Sequence, residues 1–263
     1  QSNLASGANS TLSGGYVGRA SGDYSTLSGG YQNCSTQCYT VVGGGYRNCA
    51  CAGISTIGGG QSNLATGARA TIAGGRSNTV SGAYSFIGGG CTNTASGNCA
   101  AIVGGCGNTA SGGFSFVGGG CTVTATQIYA TAVGGLNNSA GDQFAFVGGG
   151  KNNTSSGYAT TVTGGQSNTA NAVRAFVGGG YGNSATANAS TISGGYSNTS
   201  SNAFSSKRIF TRKKSASVFF VISSLVGPKP PVIKTKCARF DASFKVLIIS
   251  SRLSEMEVIR FTL

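Results

Sequence analysis

From residue 1 to residue 206 the chain runs through two short stretches of alternating residues in every 15, one face small or aliphatic and the other polar, and glycines close each stretch. The second glycine of a pair falls at Gly15, Gly30, Gly45, Gly60, Gly75, Gly90, Gly105, Gly120, Gly135, Gly150, Gly165, Gly180 and Gly195, with no insertion or deletion. If that glycine is position 15 of a unit, positions 2–6 and 9–13 alternate as strands do, side chains going to opposite faces. The glycine pair and the frequent glycine at position 7 read as turns, where glycine permits positive φ. One or two glycine breaks every 15 residues argue against helix.

Position 3 is asparagine in twelve of fourteen units, with Gly18 and Val123 the exceptions. Asn33, Asn48, Asn63, Asn78, Asn93, Asn108, Asn138, Asn153, Asn168 and Asn183 make up most of that column. Position 5 is nearly always alanine, and position 12 is Leu, Val or Ile in twelve of thirteen units. Positions 3, 5 and 12 are expected inside. Two strands and two turns make one coil, and a coil cannot bury its own apolar face, so coils must stack. The fold class is therefore all-β: a parallel β-solenoid, or β-roll, of about fourteen 15-residue coils. At about 4.8 Å per coil it would be roughly 65 Å long. The asparagines should form a structural ladder whose amides bond coil to coil, as amides do in stacked sheets.

A second period lies over the first. From the fifth unit on, position 11 reads Thr71, Phe86, Ala101, Phe116, Thr131, Phe146, Thr161, Phe176, Thr191. Position 13 alternates in step, so that each phenylalanine is followed two residues on by glycine (Gly88, Gly118, Gly148, Gly178). Such volume compensation is a property of close packing. It implies that this face packs against something, and a second or third copy of the chain is the expected partner. Phe86, Phe116, Phe146 and Phe176, with Tyr84, Phe114 and Phe144, are the candidate oligomer interface, since soluble monomers seldom expose so large an apolar stripe.

Composition narrows the chemistry. Only 9% of the 263 residues are charged, there is no histidine, and residues 1–206 hold no glutamate and two isolated aspartates. The many serines have no base to activate them. No glycine cluster ends in Gly-Lys-Ser/Thr, so there is no phosphate loop. No catalytic, cofactor-binding or metal-binding residue is assigned, and no cofactor is expected. The net charge of +13 divides into +4 over residues 1–206 (six basic, two acidic) and +9 over residues 207–263 (twelve basic, three acidic). The basicity belongs to the tail, and no specific nucleic-acid binding is expected. Cys91, Cys106 and Cys121 share position 1 of successive units, and Cys34 and Cys49 share position 4. Stacked neighbours would lie within disulfide range. Cysteine as a small apolar substitute and cysteine as a coil-to-coil link both remain open.

The run Ala110-Ser111-Gly112-Gly113-Phe114-Ser115-Phe116-Val117-Gly118-Gly119-Gly120 resembles the head repeats of trimeric autotransporter adhesins. Similar repeats occur in phage and large-virus fibres. The resemblance covers residues 1–206. It implies a homotrimer of left-handed β-rolls, displayed on a cell surface, outer membrane or virion fibre, that binds host-cell or matrix molecules. A second resemblance comes from positions 4 and 6, with Thr94 and Ser96, Thr109 and Ser111, Thr124 and Thr126, and Thr154 and Ser156. This array is similar to the ice-binding face of insect β-solenoid antifreeze proteins, and implies ice binding as the alternative function.

After Ser206 the pattern stops. Residues 207–263 hold one glycine (Gly227), all three prolines (Pro228, Pro230, Pro231) and a basic cluster at Lys207, Arg208, Arg212, Lys213 and Lys214. This basic tail is expected to stand outside the rod, as a frame-shifted or non-native end; a small capping domain is the alternative. Its aliphatic runs, Val218 to Ile222 and Val246 to Ile249, are too short to span a membrane. Gln1 already stands inside a unit, so the chain is expected to be a piece of a longer one.

Overall fold

The structure is a computed structural model that describes residues 2–208, 222–225, 246–252 and 255–261. It is all-β. Two-residue strands alternate between two parallel sheets, from Leu4–Ala5 and Thr11–Leu12 in the first coil to Thr199–Ser200 in the last. Odd strands form a 14-stranded sheet; even strands form a second, which reaches 15 strands with the final two segments. Every pairing between coils joins residues 15 apart, as in Thr94↔Thr109 and Phe86↔Ala101. Position 1 adds a third line of single bridges, from Tyr16↔Tyr31 to Tyr181↔Tyr196. The chain from the N-terminus to Ser206 is thus a parallel β-solenoid of about fourteen coils.

One coil shows why the register is fixed. In residues 91–105, the N–H groups of Thr94, Ser96, Ala101 and Val103 donate to carbonyls of the following coil at 2.8–3.0 Å, and that of Cys91 donates to the coil's own last carbonyl, Gly105, at 2.9 Å. The N–H groups of Thr92 and Cys99 point the other way, to Arg76 and Ala83 of the preceding coil, at 2.9 and 2.8 Å. That reversal requires positive φ at positions 2 and 9, in residues as bulky as Val17 (54°), Ile54 (62°), Tyr84 (58°) and Phe114 (56°). Here the structure corrects the sequence reading. Among the described residues no position-7 glycine has positive φ. Position 7 instead accepts an i→i+3 turn bond, as in Ala100 N–H to Gly97 C=O at 3.2 Å. Its glycine answers to close approach: a Cβ on Gly97 would overlap the Gly112 carbonyl. Side chains in the left-handed region cost about 1–2 kcal/mol each; the inter-coil bond each one makes offsets this.

The interior is filled from positions 3, 5, 10 and 12. Ala95, Ala100, Ile102, Val117 and Asn93 are all essentially inaccessible. The asparagines bond differently from an amide-to-amide ladder. Asn93 Nδ2 donates to the Gly89 carbonyl at 2.9 Å and to the Gly105 carbonyl at 3.0 Å, and its Oδ1 accepts from the Asn108 N–H at 3.0 Å. Each side chain therefore clamps the glycine corner of the preceding coil to the corner of its own. Within this column, amide-to-amide contacts occur only at the last rungs, Asn183 to Asn168 at 3.1 Å and Asn198 to Asn183 at 3.0 Å. Where Gly18 breaks the column, Leu12 and Leu27, the only leucines at position 12, reach into the space.

The ladder runs slightly beyond Ser206. Strand Ser205–Arg208 pairs in parallel register, Thr191↔Ser206 and Ile192↔Lys207, and strand Ile222–Leu225 pairs antiparallel with it. Part of the 207–263 segment therefore belongs to the second sheet. The Lys207 Nζ, at a position otherwise aliphatic, donates to the Thr199 carbonyl. Residues 234–263 form a separate unit, whose described part is a hairpin of Val246–Arg252 and Glu255–Phe261. Arg212, Lys213, Lys214, the run from Val218 to Val221 and the three prolines lie outside the described residues.

Candidate functional site

The second sheet presents positions 11 and 13 outward. In register along it stand Phe86, Ala101, Phe116, Thr131, Phe146, Thr161 and Phe176. Between the phenylalanine rungs, position 13 carries Val103, Val133 and Thr163. The face is a checkerboard: a ring at position 11 on one coil, an aliphatic or hydroxyl side chain at position 13 on the next. Phe86 is 41% exposed, Val103 54%, Phe116 37% and Val133 45%, so the stripe is left half in solvent.

Each phenylalanine ring and its glycine lie close to one another within one chain. A Cβ on Gly88, Gly118, Gly148 or Gly178 would stand 3.4, 3.5, 3.3 or 3.3 Å from Cε1 of Phe86, Phe116, Phe146 or Phe176. It would also overlap a carbonyl of the next coil, Val103 in the case of Gly88. The ring lies over the bare backbone of its own strand. Volume compensation at positions 11 and 13 therefore does not by itself call for a second chain, and the apolar area beside the rings stays uncovered.

Tyr84, Phe114 and Phe144 occupy position 9, the left-handed corner beside this sheet, and are exposed. Phe114, Tyr129 and Phe144 stack at centroid distances of 5.2 Å, and Phe144 meets Tyr158 edge-on at 5.6 Å. Stacking at the coil spacing gives these rings partners that isolated turn residues would lack. Tyr84 is flanked by Arg69, whose guanidinium lies 5.1 Å from the ring centroid and donates to the phenol oxygen at 3.0 Å. All seven predicted interface residues thus fall on one edge and face of the rod, at i and i+2 of coils 6, 8 and 10, with Phe176 alone on coil 12.

The opposite sheet carries hydroxyls. Thr79, Thr94, Thr109 and Thr124 are in register at position 4, and Thr124 Oγ1 donates to Ser139 Oγ at 3.0 Å. These threonines are half-buried. Among the described residues no three His, Cys, Asp or Glu side chains gather as a metal site, and no helix is long and apolar enough to cross a membrane.

Three features escaped the sequence reading. Cys49 and Cys51, at i and i+2 of one coil, are disulfide-bonded with Cα atoms 5.6 Å apart; their spacing was the signal. Ser35 and Thr40, like Ser155 and Thr160, bond across the interior at 2.7 Å. Threonine appears at position 10 only where position 5 is serine, a covariation visible within the one chain. Finally, tyrosines stack along position 1, Tyr16 on Tyr31 at 5.0 Å and Tyr31 on Tyr46 at 5.1 Å. Comparison with models of known protein families and with curated proteins gave no match.

Proposed function

We propose that residues 1–206 are the rod of a surface-displayed fibre or adhesin, a left-handed homotrimer on a cell surface, outer membrane or virion, that binds host or matrix molecules without catalysis. The observation that carries this reading is the half-exposed checkerboard of Phe86, Val103, Phe116, Val133 and Phe146 on the second sheet. Rings two coils apart leave gaps at Ala101, Thr131 and Thr161 into which a second copy, offset by one coil, can set its own rings. A coil that binds by shape and repetition has no use for tuned acids or bases, and the rod carries few charged groups.

Sedimentation equilibrium of the whole chain tests it. The wild-type protein should sediment at three times its 26.0 kDa mass. Substituting Phe86, Phe116, Phe146 and Phe176 by serine should release monomers that keep their strand signal, because these side chains point outward. A soluble wild-type monomer would overturn the reading.

The in-register hydroxyl column from Thr79 to Thr124 favours ice binding as a second reading. Thermal hysteresis of a dilute solution separates the two: a lowered freezing point that vanishes on Thr94→Tyr or Thr109→Tyr would support it, and none would exclude it.

A further inference from the structure

Cysteines occupy three successive rungs of the position-1 ladder, Cys91↔Cys106↔Cys121. The sulfurs of Cys91 and Cys106 approach to 2.7 Å, well inside the contact distance of two non-bonded sulfurs. Cys91 is half-buried, while Cys106 and Cys121 are exposed. The Cys121 sulfur lies against its neighbour Thr122 Oγ1 at 3.5 Å. At this corner neighbouring coils are joined only by single bridges, and stacked rungs about 4.8 Å apart fall in the range a disulfide spans.

We infer that Cys91, Cys106 and Cys121 are an oxidation site, at which a low-molecular-weight disulfide of the glutathione type stitches neighbouring coils together through a Cys91–Cys106 bond. The chemistry balances by two exchanges. The exposed Cys106 thiolate attacks one sulfur of glutathione disulfide, forming a mixed disulfide and releasing one glutathione. The Cys91 thiolate then attacks the Cys106 sulfur, forming the Cys91–Cys106 bond and expelling a second glutathione. Two protein thiols are oxidised, one glutathione disulfide is reduced, and the two thiol protons pass to the two leaving thiolates. Cys121 is the reserve partner: Cys106 can bond to only one neighbour, so the link moves up a rung if Cys91 is absent. The Cys49–Cys51 bond differs in kind, since it lies within one coil and joins nothing across coils.

Cys99 and Cys38 are internal references. Each is exposed and has no cysteine on the adjoining rungs, which hold Tyr84 and Phe114 for Cys99 and Asp23 and Gly53 for Cys38. The test takes the full chain, fully reduced, incubates it with glutathione disulfide, and maps the unreduced digest by mass spectrometry. The expected result is a Cys91–Cys106 peptide pair lighter by two hydrogens, while Cys99 and Cys38 carry glutathione. In Cys106→Ser the pair is lost, and Cys91 and Cys121 carry glutathione as Cys99 does. In Cys91→Ser the link appears between Cys106 and Cys121. Serine is compatible with the fold at this position, which elsewhere holds Tyr, Gln, Arg, Leu and Lys. Wild-type Cys91 and Cys106 carrying glutathione separately, to the same extent as Cys99, would overturn the proposal. So would a Cys91→Ser protein with no link at all.

Discussion

Replacing Val123 by asparagine should strengthen the rod where its inner clamp is broken. Val123 is fully buried at position 3. Below it the column is intact: Asn108 Oδ1 accepts from the Val123 N–H at 2.9 Å. Above it, no acceptor among the described residues stands within bonding distance of the Asn138 N–H, whereas the Asn153 N–H has Asn138 Oδ1 at 2.9 Å. An asparagine at 123 would give Asn138 that acceptor and place its Nδ2 between the Gly119 and Gly135 carbonyls, as Asn93 does with Gly89 and Gly105. Two new bonds from Nδ2 at about 1 kcal/mol each, with relief of the unpaired Asn138 N–H worth about 1–3 kcal/mol, outweigh the roughly 2 kcal/mol of valine burial given up. The net gain is about 2 kcal/mol. Asn93→Val should cost about as much, through the Asn108 N–H. Coils contact only their neighbours, so one global unfolding energy is a poor measure, and hydrogen exchange at single amides is the assay. Exchange at Asn138 should slow about thirtyfold in V123N, and exchange at Asn108 should quicken about thirtyfold in N93V, at 1.4 kcal/mol per decade. An Asn138 amide that is unchanged or faster in V123N would refute the clamp.

The two glycines of one corner should differ sharply in tolerance. Gly104→Ala meets open space and should stay within about 0.5 kcal/mol of wild type, while Gly105→Ala, at φ +90° and against the Gly120 carbonyl, should cost more than about 3 kcal/mol; hydrogen exchange at the Cys91 and Cys106 amides, which donate to Gly105 and Gly120, checks it. Ser155→Ala and Thr160→Ala should each cost about 1 kcal/mol, and the double variant less than their sum by at least about 0.5 kcal/mol, because Ala95 and Ala100 already pack at the same positions; a double-mutant cycle by hydrogen exchange reads the coupling. Burial pushes the Cys34 thiol up, and nearby Arg19 only partly opposes this. Its alkylation by iodoacetamide should therefore lag that of exposed Cys38 and need a higher pH, and equal rates at neutral pH would contradict the placement.

Much of the rod was legible because the repeat never slips. Fourteen copies without an insertion assign Ala95, Ile102 and Asn93 to the interior by column alone, and the structure buries all three. Backbone conformation was not legible in the same way. Glycine at position 7 suggested positive φ there, yet the left-handed residues are at positions 2 and 9, where Val17 and Phe114 stand. Composition reports where a Cβ is forbidden, by φ or by a neighbouring carbonyl, and cannot separate the two causes. The partners of the asparagines were hidden for a related reason: the acceptors are glycine carbonyls, which leave no mark on residue identity. On the candidate face, the alternation of Phe116 with Gly118 was visible, but the closeness of the ring to its own strand needed coordinates. The pairing of Ser155 with Thr160, and of Gly18 with Leu12 and Leu27, lay in the sequence as covariation between columns too far apart for a strand-by-strand reading to join.

The central claim is that residues 15 apart are one rung apart along a straight ladder. Thr56 and Thr191 both occupy position 11, nine rungs from each other. Spin labels carried there on non-natural side chains, to spare the nine cysteines, and diluted with unlabelled protein, would report that distance by pulsed electron resonance. The account predicts a narrow distribution centred near 43 Å, nine rungs at about 4.8 Å. A broad distribution, or one centred well below that value, would contradict it.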